Sequence, residues 1–372
     1  KQPRVKLKMT NKPDSLYIHI PFCDHICKYC DFTKLFYFEK YEKDYLNSLI
    51  KEIESYHINK VKTLYFGGGT PTALSDAGFE RILTFAKQYL DKDYEFTVEA
   101  NVENLTESKL LIMKKCGVNR LSIGVQSTNN ELLKEIGRNH TFEDASAAVS
   151  LAKSLGFDNI NIDLIYGFKH QSLRQLKKDL ANFIELDIDH ISIYSLTIHE
   201  GTMMHNNKLE EQNQDDSRLF YDEIVSIMRE HGYIRYEISN FAKPGYYSKH
   251  NQAYWKNKQY YGVGLGASGY VNDIRYTNTK NLNDYCDGRY IKESEKVTKE
   301  DYLEYYIMLN LRLENGFSRE EFKSIFNYDL YEAKKAVFDK LIANDLCIVD
   351  ENIHLTDAGL VIMDSIVLDL ID

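Results

Sequence analysis

The stretch Tyr17-Ile-His-Ile-Pro-Phe-Cys-Asp-His-Ile-Cys-Lys-Tyr-Cys-Asp-Phe32 decides how the rest of this chain is read. It places Cys23, Cys27 and Cys30 in a C-x3-C-x2-C spacing directly after the apolar run Leu16–Ile20. Iron–sulfur clusters of the [4Fe–4S] type normally take four thiolates. Three close thiolates hold three irons and leave the last iron open to a small molecule. The spacing therefore points to catalysis at an open iron more than to simple electron transfer. Zinc is the competing reading, with His19 or His25 as a further ligand, but the paired C-x2-C pattern is missing. A disulfide scaffold does not suit a large chain with 6 cysteines and no secretory signal. Cys116, Cys286 and Cys347 lie scattered in apolar surroundings and read as core thiols.

Working outward, strand-like runs recur at Leu16–Ile20, Thr63–Phe66, Glu95–Ala100, Arg120–Val125, Asn159–Ile165 and His190–Leu196. They are short, continuous and rich in Ile, Val, Leu and Tyr, as strands buried on both faces should be. Amphipathic stretches separate them: Tyr41–Tyr56, Gly78–Leu90, Glu107–Lys115, Phe142–Leu155 and Ser172–Leu186. The repeated βα order predicts an α/β fold with a parallel sheet, a partial (β/α)6 barrel. Such a barrel gathers its chemistry at the C-terminal ends of the strands. Those ends carry Cys23, then Gly67-Gly68-Gly69-Thr70-Pro71, then Glu99 with Asn101, then Gln126-Ser127, then Asp163 with Tyr166-Gly167. Each alone reads as a turn or a solvated side chain. Five at one rim predict a ligand site.

Composition sets the outer bounds. The chain has 372 residues, is 43% hydrophobic and carries a net charge of −10. That predicts one large domain with a smaller one, and it argues against a general nucleic-acid binder. No apolar run approaches the ~20 residues that span a bilayer. Lys1 to Lys8 are basic but no apolar h-region follows, and Met9 is a candidate native start. Reduced thiols without an export signal predict a cytoplasmic protein.

A polar, charged stretch at Glu293–Thr298 predicts a domain boundary, dividing the chain into 1–296 and 297–372. Beyond it come helical patterns at Glu300–Leu313, Ser318–Phe326 and Tyr331–Ala343. A β pair, Leu346–Val349 and Ile353–Leu355, and a last helix from Asp357 follow. Ser318 with Glu321 suggests a capping box and Thr356 an N-cap. This order is winged-helix-like. Without a clustered basic face it reads as a structural or docking module rather than a DNA binder.

Taken together, the motifs resemble those of radical S-adenosylmethionine (SAM) proteins. More closely, the chain is similar to the group holding oxygen-independent coproporphyrinogen III dehydrogenase (oxidase) and HemW-type heme chaperones. The resemblance rests on the opening segment, on Gly67 to Thr72, on Glu99-Ala100-Asn101, on Arg120-Leu-Ser-Ile-Gly-Val-Gln-Ser127, on Gly137-Arg138-Asn139-His140 and on Asp163-Leu-Ile-Tyr-Gly167. It implies that Cys23, Cys27 and Cys30 ligate a [4Fe–4S] cluster and that the amine and carboxylate of SAM chelate the open iron. It implies that Tyr17 and Tyr29 border the cluster and cofactor, and that Gly68, Gly69 and Thr70 present backbone to the methionine part. Glu99, Gln126 and Asp163 would bind polar groups of SAM, and Arg138 a carboxylate. The family's chemistry is reductive cleavage of SAM to methionine and a 5′-deoxyadenosyl radical, the hard step being carried by the cofactor.

Two features divide the group. The dehydrogenase carries a cysteine two residues after the third ligand and a longer segment before the cluster. Here Phe32 stands at that position and 22 residues precede Cys23. Second, His250-Asn-Gln-Ala-Tyr-Trp255 resembles the H-N-x-x-Y-W motif of the chaperones. It suits heme: His250 as an axial ligand, Tyr254 and Trp255 stacking, and Arg235, Lys243, Lys249, Lys256 and Lys258 near propionates. Ser268 stands where relatives often carry a histidine, which leaves the axial ligand open. The resemblance thus implies a heme chaperone, with oxidative decarboxylation of coproporphyrinogen III as the alternative and a zinc-stabilised binding protein as a third reading. Implied partners are heme, apo-hemoprotein acceptors that include membrane-bound ones, and an unnamed electron donor; loose membrane association and a homodimer are left open.

Overall fold

The computed structural model describes residues 12–371. Lys1 to Lys8 and Met9 lie outside the described residues. Six parallel strands follow one another across the main sheet: β1 (Ser15–Ile20), β2 (Val61–Gly68), β3 (Leu90–Asn101), β4 (Arg120–Gln126), β5 (Ile160–Tyr166) and β6 (His190–Ser195). Helices Glu39–Ser55, Asp76–Ala86, Glu107–Cys116, Phe142–Ser154 and Leu173–Glu185 connect them. All seven residues of β4 are buried, as a central parallel strand requires. Leu16, Ile18 and Ile20 of β1 are fully buried in the same core as Leu64, Phe66, Phe96, Val98, Leu121 and Ile123. The predicted partial (β/α)6 barrel is the observed architecture.

The sheet extends past the six strands. Tyr261–Val263 pairs parallel with β1. At the far edge Asn240–Ala242 pairs antiparallel with β6, and Ile234–Arg235 pairs antiparallel with it. Side-chain caps start three of the connecting helices: Thr106 accepts from the Lys109 amide, and Thr141 and Ser172 each complete a capping box.

The polar stretch Glu293–Lys296 belongs to a strand, Ile291–Lys296, at one edge of a three-stranded antiparallel sheet with Ile274–Asn278 and Ser268–Val271. All six of its side chains are exposed, so no apolar alternation announced it. A separate apolar cluster then gathers Tyr306, Ile307, Phe317, Phe322, Phe338, Ile353 and Ile366. Here the expected third helix is broken at Lys334 into Leu330–Ala333 and Lys335–Ala343, and the last is broken at Ile362. Thr356 caps as expected. Ser318 accepts from the Glu321 amide, giving the forward half of the expected box. Among the described residues no helix is long and apolar enough to cross a membrane.

Candidate functional site

Directly after β1 the backbone turns at Pro21 and Phe22–Cys23 pairs parallel with Leu35–Phe36. The Leu35 amide donates to Pro21 O at 2.7 Å and the Tyr37 amide to Cys23 O at 2.9 Å. These bonds pin both ends of the cysteine loop. Its middle is tied by the Lys28 amide to Ile136 O and by the Met204 amide to Lys28 O, both at 3.0 Å. A loop held at four points keeps its thiols facing one cavity of about 370 Å³, which Cys23, Cys27 and Cys30 all line. Burial pushes the Cys23 thiol up to about 11, and burial raises Cys30 as well. Among the described residues no three His, Cys, Asp or Glu side chains stand close enough to hold a single metal ion. A cluster distributes its thiolates over separate irons, a wider arrangement than one ion demands.

The strand ends supply the facing wall. Tyr29, Gly68, Gly69, Thr70, Glu99, Gln126, Arg138 and Asp163 line this same cavity. Gly68 has φ +112°, and a Cβ there would lie 2.5 Å from the His19 ring. A Cβ on Gly69 would lie 2.8 Å from the Pro21 backbone. Both positions therefore need glycine, and they leave bare backbone beside the thiols. The Gly68 amide donates to Glu99 Oε2 at 3.1 Å and the Tyr65 hydroxyl to Glu99 Oε1 at 2.7 Å. Burial pushes Glu99 up to about 7, with Asp163 adding repulsion. Asp163 accepts from Asn161 at 2.9 Å and is raised by burial too.

Arg138 is buried, with Nη1 on Asn101 Oδ1 at 2.8 Å and Nη2 on Gly124 O at 2.7 Å, while its Nε has no partner. A Cβ on Gly124 would strike Nη2 at 2.4 Å, so that glycine makes room for the guanidinium. Asn101 in turn donates to Thr70 Oγ1 at 2.9 Å, and Thr70 Oγ1 to Cys23 Sγ at 3.5 Å. Thiol donors, a glycine cradle and a buried guanidinium with a spare N–H fit a cluster and a carboxylate-bearing ligand.

Tyr17 lies elsewhere. Its hydroxyl bonds His19 Nδ1 at 3.0 Å and its ring lines a second, inner chamber of about 240 Å³. His250, Asn251 and Tyr254 line that chamber as well. His250 is 1% exposed, with Nδ1 against Thr63 Oγ1 and Nε2 against the Tyr254 hydroxyl, both at 2.7 Å. Burial lowers it to about 3. Ligating an iron through either nitrogen would break one of these bonds, so in this conformation His250 offers no free nitrogen. Trp255 is half-buried under the Arg312 guanidinium, 4.8 Å from the ring centroid.

Three of the five expected propionate partners are also engaged. Arg235 pairs with Glu314 at 2.5 Å and Asp357 at 2.7 Å, Lys243 with Asp187 at 2.8 Å, and Lys249 with Asp93 at 3.6 Å. Sequence reasoning missed Arg120, Ser122, Asn161, Ser192 and Tyr194, which all line the inner chamber. Their signal was present as polar residues at every second position of otherwise apolar strands, the period of one strand face.

Residues 17–182 match the Radical SAM superfamily and residues 297–362 the HemN C-terminal domain. The chain is 40% identical to heme chaperone HemW of Lactococcus lactis, over 94% of this chain and 95% of that protein. It is 37% identical to heme chaperone HemW of Bacillus subtilis, over 93% and 96%. Among solved structures, the coproporphyrinogen III oxidase HemN of Escherichia coli, described as a radical SAM enzyme, superposes with a TM-score of 0.85 at 23% identity, covering 96% of this chain and 90% of that one. The last likeness shows the fold alone. From the sequence identities and the two matched domains, the chain belongs to the HemW family of radical SAM proteins.

Proposed function

We propose that this protein is a heme chaperone: it binds heme and passes it to apo-hemoproteins. The observation that carries the reading is the single cavity in which three thiols meet the glycine cradle, Glu99 and the buried Arg138 guanidinium. Relatives named heme chaperone HemW, matched over most of the chain, support the choice of cargo. In this reading Cys23, Cys27 and Cys30 hold a [4Fe–4S] cluster, whose chemistry when loaded is one-electron reduction of SAM. The chain's own residues do the positioning. Arg138 meets the SAM carboxylate with its spare N–H, Glu99 takes the amine, and Gly68, Gly69 and Thr70 let the methionine part lie against backbone. Gln126, Asp163 and Tyr29 line the remaining wall, and Tyr17 supports it from the inner chamber through His19.

The barrel with its extension, 1–296, carries the cofactors, and 297–372 docks against it. We place the protein in the cytoplasm. An electron donor of unassigned identity completes the set. The runner-up, coproporphyrinogen III dehydrogenase, is set aside because Phe32, 66% exposed at the cavity mouth, replaces the further cysteine. The test is anaerobic reconstitution followed by hemin titration and a turnover assay with coproporphyrinogen III. Saturable heme binding without turnover supports the chaperone. Conversion to protoporphyrinogen IX would promote the dehydrogenase, and stoichiometric zinc without iron uptake would remove both.

A further inference from the structure

Arg120 opens β4 in the Arg-x-Ser-x-Gly-x-Gln alternation, and nothing so far gives it a task. Its side chain is buried, only 2% exposed, and lines the inner chamber. Among the described residues it forms no side-chain hydrogen bond and no ion pair, and its Nε is buried without a partner. The contrast with the two other buried arginines is direct: Arg138 has Asn101 and Gly124 O, and Arg235 has Glu314 and Asp357. Its charge is met only at longer range, by Coulomb attraction to the buried Glu99 and Asp163 carboxyls, so its N–H donors are left without a contact partner.

The chamber is built to receive one. Phe32, Gly68, Glu99, Ser122, Asp163 and Tyr194 line both it and the cysteine cavity, so the two spaces adjoin. Tyr17, Tyr254 and Tyr194 bring phenol rings to its wall. Glu99 and Asp163 lie on the shared wall. Glu99 is committed to Tyr65 and the Gly68 amide, and Asp163 to Asn161. Neither forms an ion pair with Arg120. The volume of about 240 Å³ admits a short acid arm and not a tetrapyrrole ring.

We infer that the inner chamber is a carboxylate-binding subsite in which the Arg120 guanidinium receives the propionate arm of a porphyrin seated over the cavity mouth. The planar fork of arginine matches a carboxylate bidentately, and on a guanidinium as buried as this one that pairing is stronger than at the surface. The inference rests on the heme reading for the source of the acid; a free small carboxylate carries the same chemistry.

The test uses the full reconstituted chain and three probes: hemin, hemin dimethyl ester and sodium propionate. Hemin should bind Arg120→Gln at least about tenfold more weakly than wild type, the effect of one lost charged hydrogen-bonded pair. The dimethyl ester, with both acids blocked, should bind wild type as weakly as hemin binds the variant. Sodium propionate should compete with hemin on wild type only. Arg120→Lys keeps the charge without the fork, should fall between, and carries the comparison if Arg120→Gln does not fold. Equal hemin affinity in wild type and variants, or an ester that binds as tightly as hemin, overturns the subsite. If wild type binds no hemin, the chaperone reading falls. In that case a propionate-dependent rise in Tm confined to wild type still supports the carboxylate site, and no such rise overturns it.

Discussion

Asn101 donates its amide to Thr70 Oγ1 at 2.9 Å, joining the end of β3 to the turn after β2. Through this one bond the buried Arg138 guanidinium on one side is linked to the Cys23 sulfur on the other. The polar wall and the thiol loop are therefore joined by one chain of hydrogen bonds.

Removing the link should expose that coupling. In Asn101→Ala, Arg138 Nη1 and Thr70 Oγ1 both lose a partner. Each orphaned buried group costs about 1–3 kcal/mol. Tm should fall, and SAM affinity should drop about tenfold or more. Iron content after reconstitution should stay near wild type because the three thiols remain. Calorimetry with SAM, beside an iron assay, checks both parts; loss of iron with unchanged SAM affinity would reverse the assignment.

Cys27→Ser should remove the cluster. Wild type should take up about four irons per chain. The variant should retain little of this iron and the protein should stay folded, since Cys27 contributes no hydrogen bond to the loop anchors at Lys28, Leu35 and Tyr37. Iron and sulfide analysis with circular dichroism separates cluster loss from unfolding.

Glu99 gives a pH dependence with a definite sign. Burial holds it near 7, so it is protonated below that pH and ionised above it. The ionised form is the stronger acceptor for an amine N–H. SAM affinity should therefore rise between about pH 6 and 8 and flatten beyond, as titration about a single pKa dictates. In Glu99→Gln the affinity should be lower and the rise should be absent. An unchanged slope in the variant would mean another group controls binding.

The barrel was readable because parallel strands must be apolar throughout, and β4, buried at every position, is the extreme case. The edge strand Ile291–Lys296 was not, because a strand exposed on both faces has no apolar signature. At the site, the cysteine spacing, the glycine run and Arg138 were legible as residue types that only a cofactor explains. His250 was legible as a motif but not as a geometry. Its role depends on Thr63, distant in sequence, filling Nδ1. The ion pairs of Arg235 were not legible either: its partners Glu314 and Asp357 come from beyond the expected boundary, where no local pattern reports them.

Arg235 accordingly makes a structural prediction. Its side chain is buried, while Glu314 and Asp357 are part-exposed. Arg235→Ala should cost about 1–3 kcal/mol, less than a fully buried triad would. Limited proteolysis should find the segment after Thr298 cut sooner than in wild type. Hemin affinity should not change. A loss of hemin binding with unchanged stability would restore Arg235 as a propionate partner.

His250 closes the set, because its burial predicts effects opposite to those of an axial ligand. Both ring nitrogens are occupied, by Thr63 and by Tyr254, and burial lowers its pKa to about 3. The unfolded chain binds its proton near the ordinary value of 6.5. Between these values the unfolded state holds more protons than the native state, so stability falls as pH drops through that window and is fully present above it. His250→Gln removes the titration and should flatten this acid limb. At pH 7.5 the variant should be less stable by about 1–3 kcal/mol, because a hydrogen bond to Thr63 or to the Tyr254 hydroxyl is lost in a buried place. The hemin Soret band should keep its position. Denaturant melts from pH 4 to 8 beside hemin spectra check both limbs. A shifted Soret band with an unchanged acid limb would show that His250 leaves its two partners to bind iron.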